Sequence, residues 1–194
     1  MITSFIGVIG SGKDHRAIEL EKHGFVRIDF KDSLVELASD IAGYDIKEDY
    51  EWFKTNIVGV KRPGNQFAEG FIHADLRALA TENPDLMTGR RLLQRLGTEG
   101  MRKRDPEYWV NRFVDKVIKV GAVNIVNADC RFMNEVERLS RVKAKFIFCD
   151  YHSSRYDATS KHESERLAQS LLQLGLKDGQ EITAEHFELA TCPF

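Results

Sequence analysis

The chain has 194 residues, enough for one well-filled hydrophobic core and too few for two full domains of ordinary size. Hydrophobic residues make up 42% and charged residues 30%, the profile of a soluble globular protein, and the formal net charge of -2 excludes an overall basic field for nucleic acid or an anionic membrane. The three cysteines, Cys130, Cys149 and Cys192, lack framework spacing and read as reduced thiols in a cytoplasmic protein, and the N-terminus lacks the basic leader of a secretory signal.

Ile2 to Ile9 is mostly β-branched or aromatic and runs into Gly10, Ser11 and Gly12, which predicts a buried strand and then a glycine-rich turn. Lys13 to Glu21 is helical in pattern, with Ala17, Leu20 and Ile18 on the packed side, and Gly24 breaks it. Phe25 to Ile28 predicts a second strand. Asp32 or Ser33 caps a predicted helix carrying Leu34, Leu37, Ala38 and Ile41 and stopping at Gly43. Short helices are predicted around 48–56 and 73–80, with a loop at Lys61-Arg62-Pro63-Gly64 between them.

From Gly89 the pattern sharpens, with Leu92, Leu93 and Leu96 forming an apolar stripe. Asp105-Pro106-Glu107 starts a helix on which Trp109, Phe113, Val117 and Val120 recur at three- and four-residue steps. Val123 to Ala128 and Ala144 to Cys149 are further short strands, each followed by an aspartate, Asp129 and Asp150. Asn134 to Val142 is a predicted helix between them, and Ser160 with Glu163 is a capping box for a helix through Leu174. Strands alternating with helices predict an α/β protein with a parallel central sheet and helices on both faces. The stretch 45–105 reads as a helical insertion on one domain covering 1–194, and 151–161 as a lid-like loop.

Gly7-Val8-Ile9-Gly10-Ser11-Gly12-Lys13 fits a phosphate-binding loop through its lysine, between a strand and a helix as that motif requires. Glycines let successive N–H groups turn toward a phosphate, the helix N-terminus adds partial positive charge, and Lys13 reaches the β- and γ-phosphates. Asp14 replaces the usual Ser or Thr; a carboxylate there can hold Mg2+ directly or through water. A glycine-rich turn in an ordinary α/β protein is the plain alternative.

Asp129 and Arg131 at a strand's carboxyl end suit a sugar hydroxyl and a phosphate, or equally an internal ion pair that ties down the next helix, with Glu135 one turn further on. Gln94 can read a base edge, Gly97 allows close approach, and Thr98 lies alongside near Arg90 and Arg91. For Arg90 to Arg104 a solvated helix face is the bland account. By its periodicity Trp109 is a core residue. Lys31, just after the second strand, can contact a phosphate or be an ordinary surface lysine. Arg155 lies in the cationic loop that would close over transferring phosphate. Six histidines and three cysteines form no zinc-like cluster.

The sequence resembles the deoxynucleoside monophosphate kinases of tailed bacteriophages, a branch of the P-loop nucleotide kinases. The matching pieces are Gly10-Ser11-Gly12-Lys13-Asp14, the run Gly89 to Gly100, Asp105 to Val110, Asp129-Cys130-Arg131-Phe132-Met133-Asn134-Glu135, and His162-Glu163-Ser164-Glu165. The resemblance implies a three-layer P-loop fold with a helical substrate-binding insertion, ATP and Mg2+ as cofactors, and a deoxynucleoside monophosphate as acceptor. By similarity, Gln94, Gly97, Thr98, Trp109, Asp129, Arg131 and Glu135 bind that acceptor; Lys31 and Arg90 join them as candidates on their positions in the sequence alone. Gly10, Ser11, Gly12, Lys13, Asp14 and His15 hold ATP, His15 standing where Thr is common. Lys13, Arg131 and Arg155 form the catalytic set. Family analogy also allows a homodimer through the insertion, and a host cytoplasm if the source is viral. Other small phosphorylated acceptors such as dephospho-coenzyme A or phosphomevalonate, a non-catalytic nucleotide-binding module, and a polynucleotide end kinase are the competing readings.

Overall fold

In the computed structural model, residues 1–42, 45–55, 89–150 and 165–191 are described. The chain divides into two units, Met1–Phe30 with Phe113–Phe194, and Lys31–Arg112. The second runs wider than the 45–105 insertion expected from sequence. The expected helix at 73–80, the capping box at Ser160 and the lid-like loop 151–161 lie outside the described residues.

The first unit is built on β1 (Ile2–Ile6), whose last four residues are buried, as a central parallel strand of apolar residues should be. The glycine loop leads into α1 (Lys13–Lys22), and β2 (Val26–Arg27) follows. After α2 (Lys31–Ala42), α3 (Tyr50–Thr55), α4 (Gly89–Gln94) and α5 (Tyr108–Val120), the chain continues as β3 (Ile125–Asn127), α6 (Met133–Arg141) and β4 (Lys145–Phe148). The described chain ends with α7 (Arg166–Gln173) and α8 (Ala184–Thr191). The four strands are parallel in the order β2-β3-β1-β4, with Ile2 opposite Ile125, Thr3 opposite Lys145 and Val26 opposite Ile125. Helices flank this sheet, as expected for the fold. Phe5, Ala17, Val126, Ala128 and Cys149 form one buried cluster against which Leu20 packs.

Several local expectations shift. Ile18 is 45% exposed, because the packed face of α1 runs through Lys13, Ala17 and Leu20, and Ile18 lies one residue's rotation off it. Helix α2 begins at Lys31, which puts Asp32 and Ser33 inside its first turn rather than at its cap. Val120 ends the α5 stripe exposed, and Val123, expected to open the third strand, is exposed ahead of β3, which begins at Ile125. The stretch after Gly175, unread in the sequence, adds an edge to β4: Phe148 donates its N–H to Gln180 O (2.8 Å) and Ile182 to Phe146 O (2.9 Å). Phe187 of α8 then meets Phe146 edge-on at 5.1 Å.

The second unit is helical among its described residues. Its core gathers Val35, Leu37 and Ala38 of α2, Phe53 of α3, Leu92 and Leu93 of α4, and Leu96, Met101 and Trp109. Helix α4 continues as a wide π-helical stretch, Arg95–Arg102, in which Gly97 and Gly100 are buried.

Candidate functional site

The glycine loop turns sharply between β1 and α1, with Gly10 and Gly12 at φ of +81° and +84°, a region closed to most side chains. Gly7 is fixed by space instead: a Cβ there would sit 2.2 Å from Cys149 O and 2.5 Å from Ser11 Oγ. Lys13, the first residue of α1, folds back over the loop and is buried. Its ammonium donates to Gly7 O (2.6 Å), Val8 O (2.7 Å) and Ser11 Oγ (3.3 Å). Burial, and then the nearby Arg131 charge, push its pKa down from 10.5 to about 8, against the opposing pull of Glu165, Cys149 and Asp14.

Arg131 and Glu135 follow β3. Glu135 is buried and caps α6, its Oε2 accepting the N–H groups of Arg131 (2.7 Å) and Phe132 (3.1 Å). The Arg131 guanidinium turns elsewhere and donates to Glu165 Oε1 at 2.7 Å. The other oxygen of Glu165 accepts the N–H of Ile9, in the glycine loop, at 3.2 Å. Glu165 therefore joins the loop to Arg131. The sequence comparison placed it in a motif but assigned it no role.

A second chain of contacts runs under the sheet's carboxyl end. Asp14 and His15 are exposed in the first turn of α1, and Asp14 pairs with Arg27 at the end of β2. Arg27 also donates to the buried Asp29 from Nε (2.9 Å), and Asp29 accepts the N–H of Ala128 (2.8 Å). Asp129 is buried too, its Oδ1 accepting the N–H of Phe30 (2.8 Å) and the amide of Asn127 (3.0 Å). Neither Arg27 nor Asp29 was singled out from sequence. The available signal was an aspartate closing β2 as Asp129 closes β3.

In the second unit, Lys31 opens α2, Arg90 is exposed on α4, and Gln94 ends α4 half-buried. Gly97 and Thr98 lie in the π-helical stretch, where a widened turn sets their carbonyls off the regular ladder. Trp109 takes the core position its periodicity indicates and is 3% exposed, with its indole N–H donating to Gly97 O at 3.0 Å. Arg155 lies outside the described residues.

A parallel sheet flanked by helices, with a lysine-bearing glycine loop between its central strand and the following helix, defines a P-loop kinase-type α/β protein. A family model of deoxynucleotide monophosphate kinases matches residues 30–170, more than half of the chain, and the chain belongs to that family. No curated protein sequence matches it. Its reaction class is accordingly the ATP-dependent phosphorylation of a deoxynucleoside monophosphate. The match begins at residue 30, after the glycine loop. No helix among the described residues is long and apolar enough to cross a membrane.

Proposed function

We propose that ATP lays its phosphates on Gly10, Ser11, Gly12 and Lys13, with Asp14 and His15 beside them, and that the acceptor monophosphate meets Arg131 near this loop. The observation that carries the reading is the Lys13 ammonium, held among loop oxygens at the N-terminus of a ten-residue helix. A phosphate arriving there competes for that ammonium with two neutral carbonyls, and a charge-assisted bond to an anionic oxygen is the stronger one. Acceptor recognition falls to Lys31, Arg90, Gln94 and Thr98, with Trp109 acting through the Gly97 carbonyl it holds. Asp129 and Glu135 support the strand end from which Arg131 reaches the phosphate.

Asp14 is the residue that would hold Mg2+. Its carboxylate is exposed at the loop, and a single carboxylate shared with substrate phosphates suits that ion's preference for oxygen ligands and retained water. Among the described residues no group of three or more His, Cys, Asp or Glu side chains forms a cage that could hold a metal by itself. Bound Mg2+ supplies neutralisation of the charge on the β- and γ-oxygens.

The acceptor's 5′-phosphate oxygen attacks the γ-phosphorus in line. The bond between the γ-phosphorus and the β,γ-bridging oxygen breaks, and that oxygen departs with ADP, leaving a deoxynucleoside diphosphate. The attacking group is already anionic, so no strong general base is required, and the residues contribute alignment and positive charge. The test is a phosphoryl-transfer assay with ATP and Mg2+ against each deoxynucleoside monophosphate. Turnover that disappears in a folded Lys13→Ala variant supports the loop assignment; full turnover in that variant sinks it.

A further inference from the structure

We infer that Glu165 is a positioning residue for phosphoryl transfer: its carboxylate ties the Arg131 guanidinium to the backbone of the glycine loop and so sets where that cation meets the phosphate. This rests on the reading that Arg131 acts on the phosphates.

Glu165 comes from far away in sequence, 34 residues after Arg131 and 156 after Ile9. Its two oxygens divide between those partners, Oε1 to Arg131 at 2.7 Å and Oε2 to the Ile9 N–H at 3.2 Å. Its side chain is 3% exposed while that of Arg131 is 36% exposed, so the carboxylate is the fixed end of the pair and the guanidinium the accessible end. Helix α7 begins directly after Glu165 and is seated by the buried side chains of Leu167, Ala168 and Leu171, which anchors the carboxylate from behind.

Two plainer accounts compete. One is an ion pair that serves stability alone, yet taking the Glu165 carboxylate out of water offsets much of the Coulomb gain to a guanidinium that stays partly in solvent. The other is a plug, a carboxylate against the phosphate loop that ATP must displace. The use of one terminal nitrogen argues for positioning. A guanidinium carries five donors in a rigid fork, so a bond through Nη1 restrains where the group sits while its other donors can still reach a phosphate.

The experiment is a double-mutant cycle on the full chain with Glu165→Gln, Arg131→Ala and the combined variant, measuring kcat and KM for ATP and acceptor separately, with circular dichroism to confirm folding. Glu165→Gln keeps the shape and one acceptor oxygen but removes the charge that holds the fork. We expect kcat to fall about tenfold with both KM values within about threefold of wild type, since misplacement near the reacting atoms costs rate before affinity. Arg131→Ala should fall further, and adding Glu165→Gln to it should change little, because the carboxylate acts through the arginine. If Glu165→Gln turns over at the wild-type rate while Arg131→Ala is impaired, the Glu165 assignment fails and the Arg131 reading stands. Wild-type turnover in Arg131→Ala overturns both. Tighter ATP binding with undiminished kcat in Glu165→Gln overturns positioning in favour of a plug, and a loss multiplied in full in the combined variant overturns action through Arg131. Should the Gln variant not fold, Glu165→Asp reads the same coupling, since a carboxylate one methylene shorter cannot span both partners.

Discussion

The indole N–H of Trp109 donates to the carbonyl of Gly97 at 3.0 Å, across twelve residues and inside the core of the helical unit. The carbonyl belongs to the π-helical stretch Arg95–Arg102. Trp109 is thus a core residue that also holds the backbone directly before Thr98.

Trp109→Phe retains most of the buried aromatic volume and removes the donor. Losing that buried bond should cost about 1–2 kcal/mol of stability. If the turn shapes the acceptor subsite, KM for the deoxynucleoside monophosphate should rise several-fold while KM for ATP stays close to wild type. Urea unfolding and two-substrate kinetics check the two parts separately. Equal shifts in both KM values would argue against a role confined to the acceptor.

Gly7→Ala tests the loop by space alone. The added Cβ would lie 2.2 Å from the carbonyl oxygen of Cys149, a backbone atom that cannot rotate away. Strand β1 and the chain after β4 must separate to admit it, at a cost of about 3 kcal/mol, the upper part of the overpacking range. The expected result is a lowered urea midpoint together with weakened ATP binding by calorimetry. Wild-type values of both would show that the close approach is dispensable.

The readings that held were those carried by short-range spacing. Strand, glycine turn and lysine stand within thirteen residues, so the loop was visible as a unit. Leu92, Leu93 and Leu96 are spaced for one helical face, and all three are buried. The partners of Glu165 and Arg27 were illegible for the opposite reason: the fold brings them together across the chain, and spacing carries no trace of that. Arg131 was read with Asp129 and Glu135 because those are its neighbours in sequence, whereas its guanidinium pairs with Glu165, just ahead of α7. The π-helical stretch alters the backbone hydrogen-bond step without altering residue type, so no periodicity reports it. The edge after Gly175 escaped notice because it joins β4 over only a few residues, too few for an alternating pattern to stand out.

Arg27 links an exposed acid on α1 to a buried acid after β2, which makes it sensitive to substitution. Arg27→Met keeps the aliphatic stem and removes the guanidinium from Asp29, whose side chain is only 3% exposed. Loss of a cation from a buried carboxylate should cost about 3 kcal/mol. Asp29→Asn in the same chain should restore part of that loss, since the neutral amide no longer needs the cation and its oxygen can still accept the Ala128 N–H. Chemical denaturation of the two single variants, the double variant and wild type measures the coupling; strictly additive losses would show that Arg27 and Asp29 are energetically independent.

Lys13 gives the pH dependence of the ligand-free protein a definite sign. Its pKa drops from 10.5 to about 8 on folding, chiefly because burial disfavours the ammonium and secondarily because Arg131 is near. Between those two values the unfolded chain binds more protons at this position than the folded one, so its contribution to stability increases with pH across the window. Below about pH 8 both states are protonated and the penalty is present in full; above 10.5 both are neutral and it is gone. The total is on the order of 3 kcal/mol. Wild-type stability from urea unfolding should therefore rise relative to that of Lys13→Met as pH increases from 8 toward 10.5. Parallel profiles would mean that the ammonium keeps its ordinary affinity for the proton inside the loop. Activity should move the other way over the same range, because a neutral amine withdraws the positive charge that the loop offers to phosphate. A protein that becomes more stable as it loses turnover is the signature expected of a buried lysine retained for its charge.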